Sequence, residues 1–395
     1  MNYYISDKIR AVDGEAISRL FRASADPTCI CLAAGNPSPE LFPNEQLADL
    51  AQEILREDPV LALQYNMTAG YTPFREAIMA RVKRVEGIGQ PFDQCVVTCG
   101  GQQGADIIAK IAAEPGDVVL VEEPSYVGTL NTFRSHGLKL VGVPTDENGL
   151  IPEGLEKVLQ ETDRVRFLYT IPTFQNPAGT TVPVERRKKI YEIAKRYNLL
   201  ILEDNPYGEL RFHGEWVPTF KSMDTEGLVI YVSSFSKILA PGLRLGYLIL
   251  HETLAERAIV AKQCSDVHTP MLIQLMAMRF MERYDMDAMI KEMSAMYQHK
   301  CQVMIEAMKE CFPEWVTWVE PQGGLFVWCD LGEGYDAFEV SEICAKEKVA
   351  FVPGNAFMTD MSKPCSNFRL NFSTMSDEKI REGIAILGRT LHNLK

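Results

Sequence analysis

The residues best equipped for chemistry in this chain stand just behind short apolar runs. Lys237 ends the segment Ser233-Ser234-Phe235-Ser236-Lys237, which follows the run 229–232. An amine held where water is scarce gives up its proton more readily and can attack a carbonyl. Asp204 closes the run 199–202, in Glu203-Asp204-Asn205-Pro206-Tyr207. A carboxylate there is costly unless paired, and a protonated ring nitrogen would pair with it. Asn176, behind 167–171, offers an amide to an anionic oxygen, and Tyr126, behind 118–122, offers a ring for stacking. Gly100 and Gly101 open a helix behind 96–98, where backbone N–H groups and the helix dipole suit a phosphate. Ser234 and Arg244 would add a hydroxyl and a guanidinium. Arg369, in the alternating stretch Asn367-Phe368-Arg369-Leu370-Asn371-Phe372, shares a strand face with Asn371 and can grip a carboxylate bidentately. Taken singly, each has a plainer reading: loop lysine, helix-capping aspartate, turn asparagine, packing tyrosine, solvent-facing arginine. Their order along the chain and their shared place at strand ends are what set them apart.

The elements that must position these residues follow from hydrophobic pattern. The runs 96–98, 117–122, 139–143, 166–171, 199–203, 229–233 and 246–250 are largely apolar throughout, as in strands buried on both faces of a mostly parallel sheet. Helical stretches such as 101–113 and 184–197 lie between them. This alternation predicts an α/β, doubly wound large domain with a mostly parallel seven-stranded sheet, whose ligands sit at the C-terminal strand ends. Residues 254–311 are rich in Met, Ala, Glu and Lys and read as long helices. From 320 onward strands and helices mix, as in a smaller α+β domain. A helix is expected at 13–23, before a Gly- and Pro-rich loop at 34–43. The expected division is a large domain over 48–285 and a small one from 1–47 and 286–395, since 395 residues exceed one ordinary core.

A net charge of −13 argues against nucleic acid as partner, and the basic cluster Arg186, Arg187, Lys188, Lys189 reads as a solvated helix face. Ten scattered cysteines without a C-x-x-C pair argue against a metal site and for reduced thiols, hence a cytoplasmic location. The polar N-terminus carries no signal-peptide core, and no apolar run is long enough to span a bilayer.

Over nearly its whole length the sequence resembles the class I/II aminotransferases of fold type I, which use pyridoxal 5′-phosphate (PLP). It looks most like the branch with 2-aminoadipate and aromatic aminotransferases. Leu63-Gln64-Tyr65, Ala69-Gly70-Tyr71, Gly100-Gly101-Gln102-Gln103, the segments 172–179 and 233–247, and Pro321-Gln322-Gly323-Gly324-Leu325-Phe326 carry the likeness. The resemblance implies that Lys237 is the Schiff-base lysine and Asp204 the partner of the pyridine nitrogen. Tyr207 and Asn176 would serve the phenolic oxygen, and Tyr126 would stack on the ring. Gly100, Gly101, Gln102, Ser234, Ser236 and Arg244 would bind the phosphate. Arg369, with Asn176 and the backbone at Gly35, would take the substrate carboxylate. Tyr65 would reach the phosphate of a neighbouring subunit, which implies a homodimer with shared sites. Gly101 stands where many relatives have serine, leaving backbone donors in its place. An arginine that meets acidic side chains in aminoadipate-using relatives falls here on Ser18, beside Arg19.

The implied activity moves an amino group between an L-amino acid (aromatic, aliphatic or 2-aminoadipate-like) and a 2-oxo acid such as 2-oxoglutarate. Rival readings are a PLP-dependent C–S lyase or decarboxylase on the same scaffold, and a PLP-sensing regulator. For the last, about 34 residues before Gly35 are too few for a DNA-binding domain and linker. Arg19, Arg22, Tyr71 and His268 are candidates to line the substrate side chain.

Overall fold

A computed structural model describes residues 3–10, 12 and 26–394 of the chain. The expected helix at 13–23, with Ser18, Arg19 and Arg22, lies outside those residues.

Among the described residues fourteen strands are numbered in chain order. The large sheet holds β2 (Asp93–Thr98), β3 (Val118–Glu123), β4 (Lys139–Asp146), β5 (Gly149–Leu150), β6 (Val165–Thr170), β7 (Leu200–Asp204), β8 (Val229–Ser234) and β9 (Gly246–His251). Its order is β2-β9-β8-β7-β6-β3-β4-β5. All seven apolar runs are strands of this sheet, and the two-residue β5 adds an eighth at the edge beside β4. Neighbours from β8 to β4 run parallel, whereas β9 runs antiparallel to both β2 and β8. Gly246 at the start of β9 therefore lies level with Thr98 and Ser234 at the ends of β2 and β8. That reversal brings Arg244, two residues before β9, to the rim where the parallel strands end.

Burial on both faces explains the unbroken apolar runs. One face packs Val96, Val119, Val121, Phe167, Tyr169, Leu202 and Val232 under the helix Gly101–Ala112. The other sets Leu120, Leu168, Ile201 and Val229 against Ile190, Ile193 and Ala194 of the helix Val184–Tyr197. Each fully buried aliphatic side chain contributes about 1.5–3 kcal/mol. The Met-rich region forms three helices, Glu252–Gln263, Met271–Arg283 and Met286–Cys311. Within the basic cluster, Arg187 is fully buried rather than solvated, and its guanidinium donates to the carbonyls of Pro172, Val182 and Pro218.

A smaller antiparallel sheet joins β10 (Thr317–Trp318), β11 (Phe326–Asp330), β14 (Asn367–Asn371) and β13 (Val352–Pro353), in that order. The short β1 (Ile30–Cys31) pairs in parallel with β12 (Val349–Ala350) beside it. We propose the two-domain division expected from the sequence with its first boundary at Pro43. Position 48 falls inside the helix Asn44–Glu57, and Arg279 of the large-domain helix Met271–Arg283 pairs with that helix through Glu53.

One buried acid is predicted to tune stability. Glu86 ends the helix Thr72–Glu86, is 6% exposed, and accepts 3.2 Å from the Trp216 indole. Burial and the Glu209 charge push its carboxyl up to about 7 against the pull of that indole bond. A raised carboxyl holds its proton in the folded state. Its contribution is complete below the free-glutamate range and is lost as pH rises through about 7. Glu86→Gln should therefore stabilise the protein at pH 8 by up to about 3 kcal/mol, with little change at pH 4.5. Denaturation midpoints at both pH values check this, and an equal shift at each would refute it.

Candidate active site

At the C-terminal rim of the large sheet, where the small sheet closes over it, lies a cavity of about 560 Å³. Gly35, Gly101, Gln102, Tyr126, Asn176, Asp204, Tyr207, Ser234, Ser236, Lys237, Arg244 and Arg369 all line it. Of the residues singled out from sequence, Gly100 and Tyr65 do not. Gly100 stands behind Arg244, and Tyr65 is 78% exposed, with its ring edge-on to His268 at 5.9 Å. Tyr71 and His268 do not line the cavity either.

The turn after β8 places Lys237. Ser234 Oγ donates to Ser236 Oγ at 2.8 Å and accepts from Ser236 N at 3.0 Å, which tightens the turn. The Lys237 amine donates to Gly35 O at 2.7 Å and lies 6.0 Å from the centre of the Tyr207 ring. Burial, reinforced by the Arg369 and Arg244 charges, brings the amine down to about 8. Sequence pattern alone does not reveal the Gly35 contact, because a backbone carbonyl carries no residue-type signal.

Asp204 ends β7. Its Oδ2 accepts from the Tyr169 phenol at 2.8 Å. Burial pushes the carboxyl up to about 7, Tyr169 pulls it down, and the Glu122 charge adds to the rise. A cation beside it would reverse that rise. Tyr207 and Asn176 lie side by side, with Asn176 Nδ2 3.5 Å from the phenol oxygen. The loop holding Asn176 is pinned by Gln175, whose amide donates to Pro124 O at 2.8 Å and to buried Glu122 at 3.3 Å.

Arg369 comes from β14 of the small sheet. It donates to Asn176 Oδ1 at 2.6 Å and to Ala33 O at 2.7 Å, and its Nε has no partner among the described residues. The guanidinium lies 4.1 Å and 4.9 Å from the ring centres of Phe326 and Phe357. Burial lowers it to about 10, so it stays charged at neutral pH. Asn371, on the same strand face, is instead bonded to Leu325 O and does not line the cavity.

The opposite end of the cavity is shaped for an anion. Gly100 has φ +82°, and a Cβ there would come 2.7 Å from the Arg244 guanidinium. Backbone and cation therefore meet only because the residue is glycine. Arg244 reaches back to Cys99 O at 3.3 Å. The first N–H groups of the helix Gly101–Ala112 complete the cradle. A Cβ at Gly101 would meet nothing closer than 3.7 Å, so the serine of many relatives would fit. Gln102 donates to Gly128 O at 2.7 Å, and a Cβ at Gly128 would strike the Tyr126 ring at 2.6 Å. Phosphate cradle, flat-ring neighbour, pyridinium partner and desolvated amine together fit PLP.

Comparison with known proteins agrees with this geometry. The family model for aminotransferase class I and II matches residues 27–387. Aromatic-amino-acid aminotransferase 1 of Thermococcus litoralis is 38% identical over 98% of this chain and 94% of its own length. The 2-aminoadipate transaminase of Thermus thermophilus is 36% identical over 97% and 95%. The kynurenine aminotransferase of Pyrococcus horikoshii, crystallised with PMP, superposes with a TM-score of 0.94 at 37% identity, covering 99% of this chain and 98% of that one. The chain belongs to the class I and II aminotransferases. It is a PLP-dependent enzyme of fold type I that transfers an amino group between amino acids and 2-oxo acids.

Proposed function

We propose that Lys237 holds PLP covalently and moves the proton at the substrate α-carbon, with a donor that is an aromatic, aliphatic or 2-aminoadipate-like amino acid and 2-oxoglutarate as acceptor. The names of the relatives above support the aromatic and 2-aminoadipate-like donors. The observation that carries the residue assignment is the Lys237 amine, lowered to about 8, sharing one cavity with Asp204 and Arg369. Near neutral pH such an amine is partly unprotonated and competent as nucleophile and base. Bound PLP supplies the carbonyl that carries the amino group and a ring that takes up the electron pair left on carbon. Asp204 would accept from the cofactor's ring nitrogen. Asn176 and Tyr207 would donate to its phenolic oxygen, and Tyr126 would stack on its ring. Gly101, Gln102, Ser234, Ser236 and Arg244 would hold the phosphate, with Gly100 behind Arg244 leaving room for its guanidinium. Arg369 grips the substrate carboxylate through a fork that Asn176 keeps in plane.

The absorption spectrum before and after L-glutamate tests this reading. A yellow band that bleaches on adding glutamate alone is expected. A band lost with release of ammonia or carbon dioxide would point to a lyase or decarboxylase instead, and no band after adding PLP would overturn the assignment.

A homodimer is proposed with it. Val60, Leu63, Tyr65 and Met67 are 76%, 71%, 78% and 60% exposed on one stretch of chain. Such a patch suits a second copy, with Tyr65 passing into its site. Light scattering at 44.4 kDa rather than twice that mass would refute it. Among the described residues no helix is long and apolar enough to cross a membrane; a cytoplasmic location is part of the proposal, resting on the ten scattered cysteines of the sequence.

A further inference from the structure

Tyr169 lies in the middle of the sheet on β6 and has no exposed surface. Strands β6 and β7 pair in parallel with Tyr169 level with Leu202, so Asp204 lies two residues further on the same face. The phenol spans that offset and donates to Asp204 Oδ2 at 2.8 Å. Thr129, at the cavity edge, lies beside the same phenol. Phe133 stands edge-on to the ring at 5.5 Å, so the side chain is packed on its flank as well as bonded at its tip. Among the described residues the Asp204 carboxylate has no other hydrogen-bond partner, and Asp204 lines the cavity.

A phenylalanine would fill the same space, so packing alone does not call for the hydroxyl. A buried hydroxyl is costly unless bonded, and here its bond goes to a carboxylate. Without it that carboxylate could turn about its last torsion and would favour the protonated form.

We propose that Tyr169 is a positioning residue of the transamination site: with Thr129 behind it, its phenol fixes the Asp204 carboxylate toward the ring nitrogen of bound PLP. The inference rests on the assignment of Asp204 to that nitrogen and adds the residue through which Asp204 is aimed. Tyr169 itself touches neither substrate nor cofactor in this reading.

The test is a double-mutant cycle of Tyr169→Phe and Asp204→Asn, read by titrating the cofactor-free proteins with PLP. Tyr169→Phe should weaken PLP binding roughly 10-fold in the parent, and by less than about 2-fold when Asp204 is already asparagine. In the loaded enzyme its kcat should fall about 10-fold with KM for the amino acid within about 2-fold, and the melting midpoint of the cofactor-free protein should hold. Parental PLP affinity in Tyr169→Phe would overturn the proposal. So would an equal loss in both backgrounds, or a melting midpoint that falls in step with affinity. Thr129→Val gives a second reading if Tyr169→Phe does not fold, and should shift PLP affinity in the same direction by a smaller factor. Failure of the parent protein to bind PLP would overturn the cofactor assignment together with this inference, a result distinct from the others.

Discussion

Lys237→Ala should abolish transamination, by at least about 10⁴-fold in kcat, because on the proposed assignment one amine supplies both the covalent attachment and the proton transfer. The cofactor-free variant should melt no lower than the parent at pH 7. The parent amine is depressed to about 8, so the folded state resists protonation there. Between about 8 and the free-lysine range the unfolded chain binds the proton and the folded chain does not, so stability rises with pH across that window. Below it the buried ammonium is a standing penalty, and Lys237→Ala removes that penalty. Stopped-flow spectra and melting midpoints of both proteins at pH 7 and 9.5 check the two halves. Residual turnover near the parental rate would dismiss Lys237 as the catalytic amine.

Arg369→Lys should be nearly as damaging to substrate capture. The guanidinium makes two directed bonds, to Asn176 Oδ1 and Ala33 O, and sits between the rings of Phe326 and Phe357. An ammonium cannot reproduce the planar fork or the ring stacking. It would also leave Asn176 free to turn its amide, which disturbs the group beside Tyr207. A loss of about 10²–10³ in kcat/KM is expected for amino acid and 2-oxo acid alike, with PLP affinity changed much less. If only one of the two substrates were affected, Arg369 would be contacting a side chain and not the shared carboxylate.

Much of this was legible in residue order. Lys237, Asp204, Asn176 and Tyr126 each follow a run apolar enough to be a buried parallel strand, and all four line the cavity at those strand ends. Arg244 is a different case. It precedes its strand, and only the reversal of β9, a property of the whole sheet, carries it to the same rim. Arg369 and Asn371 share a face as alternation demands, yet only Arg369 reaches the cavity, because Leu325 O claims the asparagine. Tyr169 and Glu122 were not legible. Both sit inside strands that read as continuous core, and what distinguishes them is their partner across the sheet. Arg187 misled in the opposite sense, since a run of four basic residues conceals one that is fully buried.

The position of β9 also bears on how the chain is made. This strand, at 246–251, is the one that joins β2, at 93–98, to β8. Until it inserts, β2 and the Gly100 turn behind it have no place in the large sheet. The anion cradle therefore unites Gly100 and Arg244, residues far apart along the chain, only at a late stage. Contacts of such long range are costly in entropy and slow to form. A nascent chain that has not yet released β9 presents no finished cradle. If Arg244, beside the Gly100 turn, holds the cofactor's phosphate as proposed, that grip becomes available only once this last interior strand is in place.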